Sequence, residues 1–281
     1  MKIKKFKINK IVISLVLLSS AILSMSSSLQ AAQEDLLQLE DLLQLKGEHF
    51  FVYYLEDEQF AQDVLRRAEF YYKKIAGELS YDRHSKFWTW EERVKIIIFP
   101  NRQSYLNTTG TNTWSEGMAN YKEKEITSYV WSDGFLDALL PHEIAHLVFR
   151  DFVGFKGEIP LWLDEGVAQW MEPAKRADAM SIMFQIMEEE KSLPLKELTQ
   201  LDLKSGSDNE IVYVFYAEAV SLVGFLIRKY GSKRFVEFCR QLRDGKMLES
   251  ALTFAYPTKI RSLKQLQEKW IEYVIMEGGQ R

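Results

Sequence analysis

The chain has a single cysteine, Cys239, so no disulfide can form within its 281 residues. That cysteine lies in "RFVEFCRQL", where Phe235, Phe238, Cys239 and Leu242 share one helical face. Such a setting suits a buried thiol and not a reactive one. Positive charge is also scarce. Lys and Arg number 36 against 40 Asp and Glu, a net charge of −4. Five of the lysines fall within the first ten residues, and without them the charge moves to about −9. An acidic chain with no basic patch is a poor nucleic-acid binder. Proline is sparse, and neither an internal repeat nor a low-complexity linker interrupts the chain. The length and the 47% hydrophobic content suit one large domain or two small ones around a sizeable core.

Residues 1–32 are the exception. Met1 to Lys10 is lysine-rich without an acid, Ile11 to Met25 is apolar apart from serines, and small residues follow. A basic start, a short apolar middle and a small-residue exit describe a secretory signal peptide, with Ala31 or Ala32 last to be removed. The run is short of the ~20 apolar residues that a membrane-spanning helix needs. No cysteine follows it, which argues against a bacterial lipid anchor. The expected location is secreted, periplasmic or extracellular. Membrane contact is expected only if this segment stays attached.

The remainder reads as an α+β chain in two parts. An N-terminal α/β subdomain covers 33–133, with an edge strand, and a helical subdomain covers 134–281. "HFFVYYL" (49–55) and "RVKIIIFP" (93–100) are rich in β-branched and aromatic residues and predict strands. Between them, residues 57–79 carry Phe60, Val64, Leu65, Ala68, Tyr71, Tyr72 and Ile75 at helical spacing. Residues 116–131 predict a hairpin turning near Lys122 to Lys124. The polar-tolerant face of its second arm, Glu125 to Trp131, predicts a sheet edge or cleft wall able to pair with an extended substrate. After residue 134 the pattern is helical: 135–151, 161–171, 175–190, 211–230, 232–243, 247–255 and 260–276 are candidate helices, punctuated by glycine and proline. A cleft between the two parts is the expected place for a site.

Two of the four histidines lie in "LPHEIAHLVF" (139–148). On a helix, His142 and His146 stand on one face a turn apart and can grip one ion. Glu143 points about 100° around the helix, toward a water on that ion. Two imidazoles and such a glutamate are the parts of a zinc hydrolase. Catalytic zinc takes three protein ligands and keeps one place open. "IPLWLDEGVAQWMEP" (159–173) supplies two acids, Asp164 and Glu165, inside an apolar run, where a carboxylate needs a partner. Pro141, directly before His142, must occupy the first turn or a kink, because it cannot donate a helical bond. His49 and His84 have no partner evident in the sequence and read as ordinary strand and loop histidines.

Eighteen residues separate His146 from Glu165, and Glu165 lies in "WLDEGVA". This resembles the gluzincin pattern, HExxH followed after eighteen residues by a ligand glutamate in a "WLxEGxA" segment. The resemblance implies a thermolysin/gluzincin-like fold, one zinc ion held by His142, His146 and Glu165, Glu143 as general base, and a peptide or protein substrate. Asp164 falls at a variable position of that segment and takes no role. Those enzymes also place a tyrosine, as oxyanion donor, before an apolar helix that ends near glycine. "FYAEAVSLVGFLIRKYG" (215–231) is similar, with Tyr216 at that position and Tyr213 one turn earlier as the alternative. The "GxMEN" segment of aminopeptidase N-type relatives has only a faint counterpart in "EGMANY", with Ala119 where the amine-holding acid stands. The smaller peptidase MA-like group is the closer likeness, over about residues 48–276. A peptidase-like binding module, non-catalytic or membrane-anchored, is the alternative expectation, and the intact Glu143 argues against it.

Overall fold

The computed structural model of the chain describes residues 42–79, 88–89, 92–111, 116–130, 134–154, 159–203 and 207–279. The expected signal segment, His84 and Trp131 lie outside them. The fold is α+β: a small mixed sheet of five strands stands first in the chain, and helices follow. The described residues fall into two compact units, one of those up to Phe70 and from Trp88 to Leu136, the other of those from Tyr71 to Leu79 and from Asp137 on.

In the first unit the sheet has the order β1-β2-β3-β5-β4, with β1 Leu43–Lys46, β2 Phe50–Tyr54, β3 Val94–Phe99, β4 Gly117–Asn120 and β5 Glu125–Tyr129. β2, β3 and β5 are parallel neighbours, while β1 and β4 flank them antiparallel. Val52, Val94, Ile96 and Ile126 are fully buried, each contributing ~1.5–3 kcal/mol of hydrophobic stabilisation. Helix α1 (Glu58–Glu78) gives Ala61, Val64 and Ala68 as its buried stripe. Helix α2 (Arg102–Thr109) is capped by the Asn101 side chain, which accepts from the Ser104 amide, and closed by left-handed Gly110. Its Tyr105 packs between Phe99, edge-on, and Tyr129, tilted.

The arm starting at Glu125 is not the edge that its polarity predicts. β5 bonds to β3 on one side and β4 on the other, so the free edge belongs to β4. The reason is that Thr127 and Ser128 are buried polar residues, and Ser128 is satisfied internally by donating to the Glu116 carbonyl at 2.7 Å. A strand paired on both sides cannot take a substrate backbone.

A π-helical turn, Phe135–Leu139, whose residues from Asp137 on belong to the second unit, runs into helix α3 (Leu140–Val153). Pro141 stands in the first α-turn, where a missing N–H is tolerated, and the π-turn lies just ahead of it. α4 (Leu161–Met171) starts behind Pro160 and stops before Pro173, which opens α5 (Pro173–Glu188). A short α6 (Leu195–Leu198) precedes α7 (Asn209–Tyr230), capped by the Asp208 side chain. α8 (Ser232–Arg243), α9 (Leu248–Ala255) and α10 (Leu263–Gly278) complete the unit.

α7 is apolar enough to cross a membrane, with a mean hydropathy of 1.8, but 67% of that stretch is buried inside the protein. It is the axis on which the site is built. α4 packs against it through Gly166, where a Cβ would stand 2.5 Å from the Ala219 carbonyl oxygen. Gly224 of α7 makes the same allowance for Trp170, whose ring would lie 2.4 Å from a Cβ. Two glycines thus let the helix carrying Glu165 approach the helix carrying Tyr216.

Candidate metal centre

The i, i+4 spacing on α3 sets the rings of His142 and His146 4.7 Å apart, nearly perpendicular. Their Nε2 atoms are 3.1 Å from each other. α4 brings Glu165 opposite, with Oε2 3.8 Å from His142 Nε2 and 3.7 Å from His146 Nε2. These three residues form a group able to hold a metal ion. Two donors bonded to a tetrahedral zinc lie about 3.3–3.4 Å apart, so the observed spacing fits one zinc-sized cation.

The outer nitrogens of both rings meet carboxylates. His146 Nδ1 lies 3.0 Å from Asp164 Oδ1, and His142 Nδ1 lies 2.8 Å from Glu172 Oε1. With Nδ1–H donated to a carboxylate, each ring keeps the Nε2 lone pair for an ion. Asp164 is itself fixed by Arg150, whose Nε and terminal nitrogen donate to Oδ2 at 2.9 and 2.6 Å. Arg150 lies one turn beyond His146, so Asp164 ties α4 to two successive turns of α3. Glu172 stands at the corner between α4 and α5, extended as a residue before proline tends to be, and Lys175 reaches it at 3.2 Å.

Glu143 is 8% exposed, and burial pushes its pKa up, against the pull of His142 and His146 and with the push of Glu165 and Glu172. Burial opposes charge on His146, yet the Asp164 hydrogen bond and the surrounding carboxylates raise its pKa to about 9. Asp164 shows the converse: burial favours its neutral form, and His146 with Arg150 outweigh that and lower its pKa. Among the described residues, four carboxylates surround the two imidazoles, with Arg150 held against Asp164 and Lys175 against Glu172. A cation bound at the two Nε2 atoms would replace the proton that these carboxylates otherwise favour on His146.

Tyr216 of α7 is half-buried. Burial, and then the charge of Glu165, push its pKa up to about 12, so at neutral pH the hydroxyl keeps its proton and is available as a donor. Tyr213 is 56% exposed.

The sequence profile of the peptidase MA superfamily matches residues 91–275, a span that includes every residue of this centre. The chain belongs to the peptidase MA superfamily. It is therefore metallopeptidase-like, and peptide or protein substrates are those of such a family. No curated protein matches the chain.

All five sequence-derived site residues, His142, Glu143, His146, Glu165 and Tyr216, belong to the second unit. Sequence reasoning missed the roles of Asp164, Glu172 and Arg150. The signal for Asp164 was present, as an acid inside an apolar run, but its partner is 18 residues away and only the helix crossing reveals it. His49 also has a partner: its amide and its Nδ1 both meet the Glu69 carboxylate, at 2.8 and 2.7 Å. With Glu48 these form a second cluster, in which Glu48 stands 4.0 Å from the ring and is mostly exposed. Glu69 there clamps the start of β2 to α1.

Proposed function

We propose that the chain is an exported, zinc-dependent peptidase of gluzincin type, with a catalytic layout similar to thermolysin's. The observation that carries this is the convergence of the His142 and His146 Nε2 atoms with Glu165 Oε2, 3.1–3.8 Å apart, beside the buried Glu143. His142, His146 and Glu165 would hold the ion, with the His142 ring oriented by Glu172 and the His146 ring by Asp164, itself held by Arg150. A bound zinc ion supplies Lewis acidity to the attacking water and to the scissile carbonyl.

The chain's own residues do the rest. The Glu143 carboxylate takes one proton from the water as its oxygen bonds to the carbonyl carbon. Burial raises the pKa of Glu143, which makes its ionised carboxylate a stronger base. The Tyr216 hydroxyl donates a hydrogen bond to the carbonyl oxygen as negative charge develops on it. When the C–N bond breaks, Glu143 passes its proton to the leaving amine.

The test is Glu143→Gln. The variant is expected to bind one equivalent of zinc as the wild type does and to lose cleavage of a peptide mixture, and a chelator is expected to abolish wild-type cleavage reversibly. Wild-type protein that carries one zinc and cleaves nothing in that mixture would end the enzymatic reading. Export rests on the lysine-led apolar leader, and N-terminal sequencing of material from the culture medium tests it: the expected start is residue 32 or 33.

A further inference from the structure

His49 belongs to the first unit, and a carboxylate holds its ring as carboxylates hold the two rings of the candidate metal centre. It is buried, directly ahead of β2, and Glu69 comes from α1, 20 residues further on. Glu69 grips it twice: Oε1 accepts the His49 amide at 2.8 Å, and Oε2 meets Nδ1 at 2.7 Å. The corresponding ring contacts are 2.8 Å for His142 and 3.0 Å for His146. With Nδ1–H donated to Glu69, the ring keeps its Nε2 lone pair for an ion. Glu48 stands on that side, its Oε1 4.0 Å from Nε2, and the three residues form a group able to hold a metal ion. Two donors on one zinc-sized ion lie about 3.3–3.4 Å apart, so a small rotation of the exposed Glu48 side chain brings the pair to that spacing.

The backbone under both ligands is held. The Gly47 amide donates to the Phe50 carbonyl at 2.8 Å. Arg93 Nε donates to the Gly47 and Glu48 carbonyls, both at 2.9 Å, and its guanidinium lies over the Phe51 ring. The Glu48 side chain is therefore the part that moves when an ion enters. The donor set selects the ion. An imidazole with carboxylates suits a divalent transition ion such as Zn²⁺ or Cu²⁺, whereas Ca²⁺ and Mg²⁺ take oxygen ligands.

We infer that Glu48 and His49, with Glu69 holding the ring, form a second divalent transition-metal site. It is weaker than the group of His142, His146 and Glu165, because it has two protein ligands where that group has three, with water completing the coordination on the exposed side. The inference does not rest on the peptidase reading. An ion here joins Glu48 to a ring already clamped onto α1, and binding to the folded chain alone stabilises the fold.

The first experiment titrates the chelator-stripped protein with Zn²⁺ by calorimetry. One tight equivalent is expected, and a second ~100-fold weaker or more, since one ligand fewer holds it. His49→Gln is expected to remove the second and keep the first, and His146→Gln to do the reverse. Glu48→Gln, an exposed change, is expected to weaken the second and leave the first as it was. The second experiment uses Cu²⁺ as probe in the His142→Gln/His146→Gln double variant. Pulsed electron paramagnetic resonance is expected to show coupling to one imidazole, lost on adding His49→Gln.

No second equivalent up to millimolar Zn²⁺ overturns the inference, as does one that survives His49→Gln with the circular dichroism spectrum unchanged. If His49→Gln does not fold, Glu48→Gln decides: a weakened second equivalent supports the site, and an unchanged one overturns it. A second equivalent without a first, removed by His49→Gln, supports this site and overturns the zinc reading of the other.

Discussion

Replacing Glu218 by glutamine is expected to stabilise the protein, by an amount that grows with pH. Glu218 sits in the middle of α7 and is 0% exposed. Its Oε1 accepts the Leu193 amide at 2.7 Å, while Oε2 has no hydrogen-bond partner among the described residues. Burial raises its pKa from 4.5 to about 8, with the Leu193 bond pulling the other way. Below pH 4.5 both folded and unfolded chains hold the proton, and the residue adds no pH dependence. Between pH 4.5 and 8 the unfolded chain releases the proton and the folded chain keeps it, so wild-type stability falls as pH rises. One proton changes stability by a little over ~1 kcal/mol per pH unit. Over the window the loss is on the order of 3–5 kcal/mol, an upper figure because local relaxation admits water.

Glutamine keeps the acceptor for Leu193 and the volume, and never ionises. The variant is therefore expected to match wild type near pH 4.5, to exceed it progressively up to pH 8, and to hold a constant lead above that. Urea denaturation of both proteins at half-unit steps from pH 4.5 to 9 measures the difference, in which every other titrating group cancels. A difference that is flat with pH, or that shrinks as pH rises, would refute the reasoning.

Other outcomes are expected at the metal centre. Asp164→Asn keeps the shape but removes the charge that holds Arg150 and orients His146, and zinc affinity should fall about 10–100-fold in a chelator competition. Tyr216→Phe should lower kcat on the order of 10²-fold with zinc content unchanged, whereas Tyr213→Phe should leave both intact; equal losses in the two variants would remove the oxyanion assignment. Gly166→Ala sets a Cβ 2.5 Å from the Ala219 carbonyl oxygen, so α4 and α7 must part. A loss of ~1–3 kcal/mol in unfolding free energy by denaturant titration is expected, together with weaker zinc binding because Glu165 is the adjacent residue.

What the sequence determined by itself is what depends on short range. The spacing of His142 and His146 puts both rings on one face of any helix, and Pro160, Pro173 and Gly231 bound helices wherever they pack. The apolar periodicity after residue 134 needed no neighbour to be read, and the helices at 161–171 and 232–243 stand where that pattern sets them. Only the tertiary structure decided which strand is the sheet edge, because a period of two shows which residues share a face and not what lies beside the strand. The same holds for Asp164, Glu172 and Arg150, and for Glu69 at His49. Each becomes a partner only once distant elements have packed to within a hydrogen bond. That Glu165 and Tyr216 stand close is likewise a result of packing, made possible where Gly166 lets two helix backbones touch.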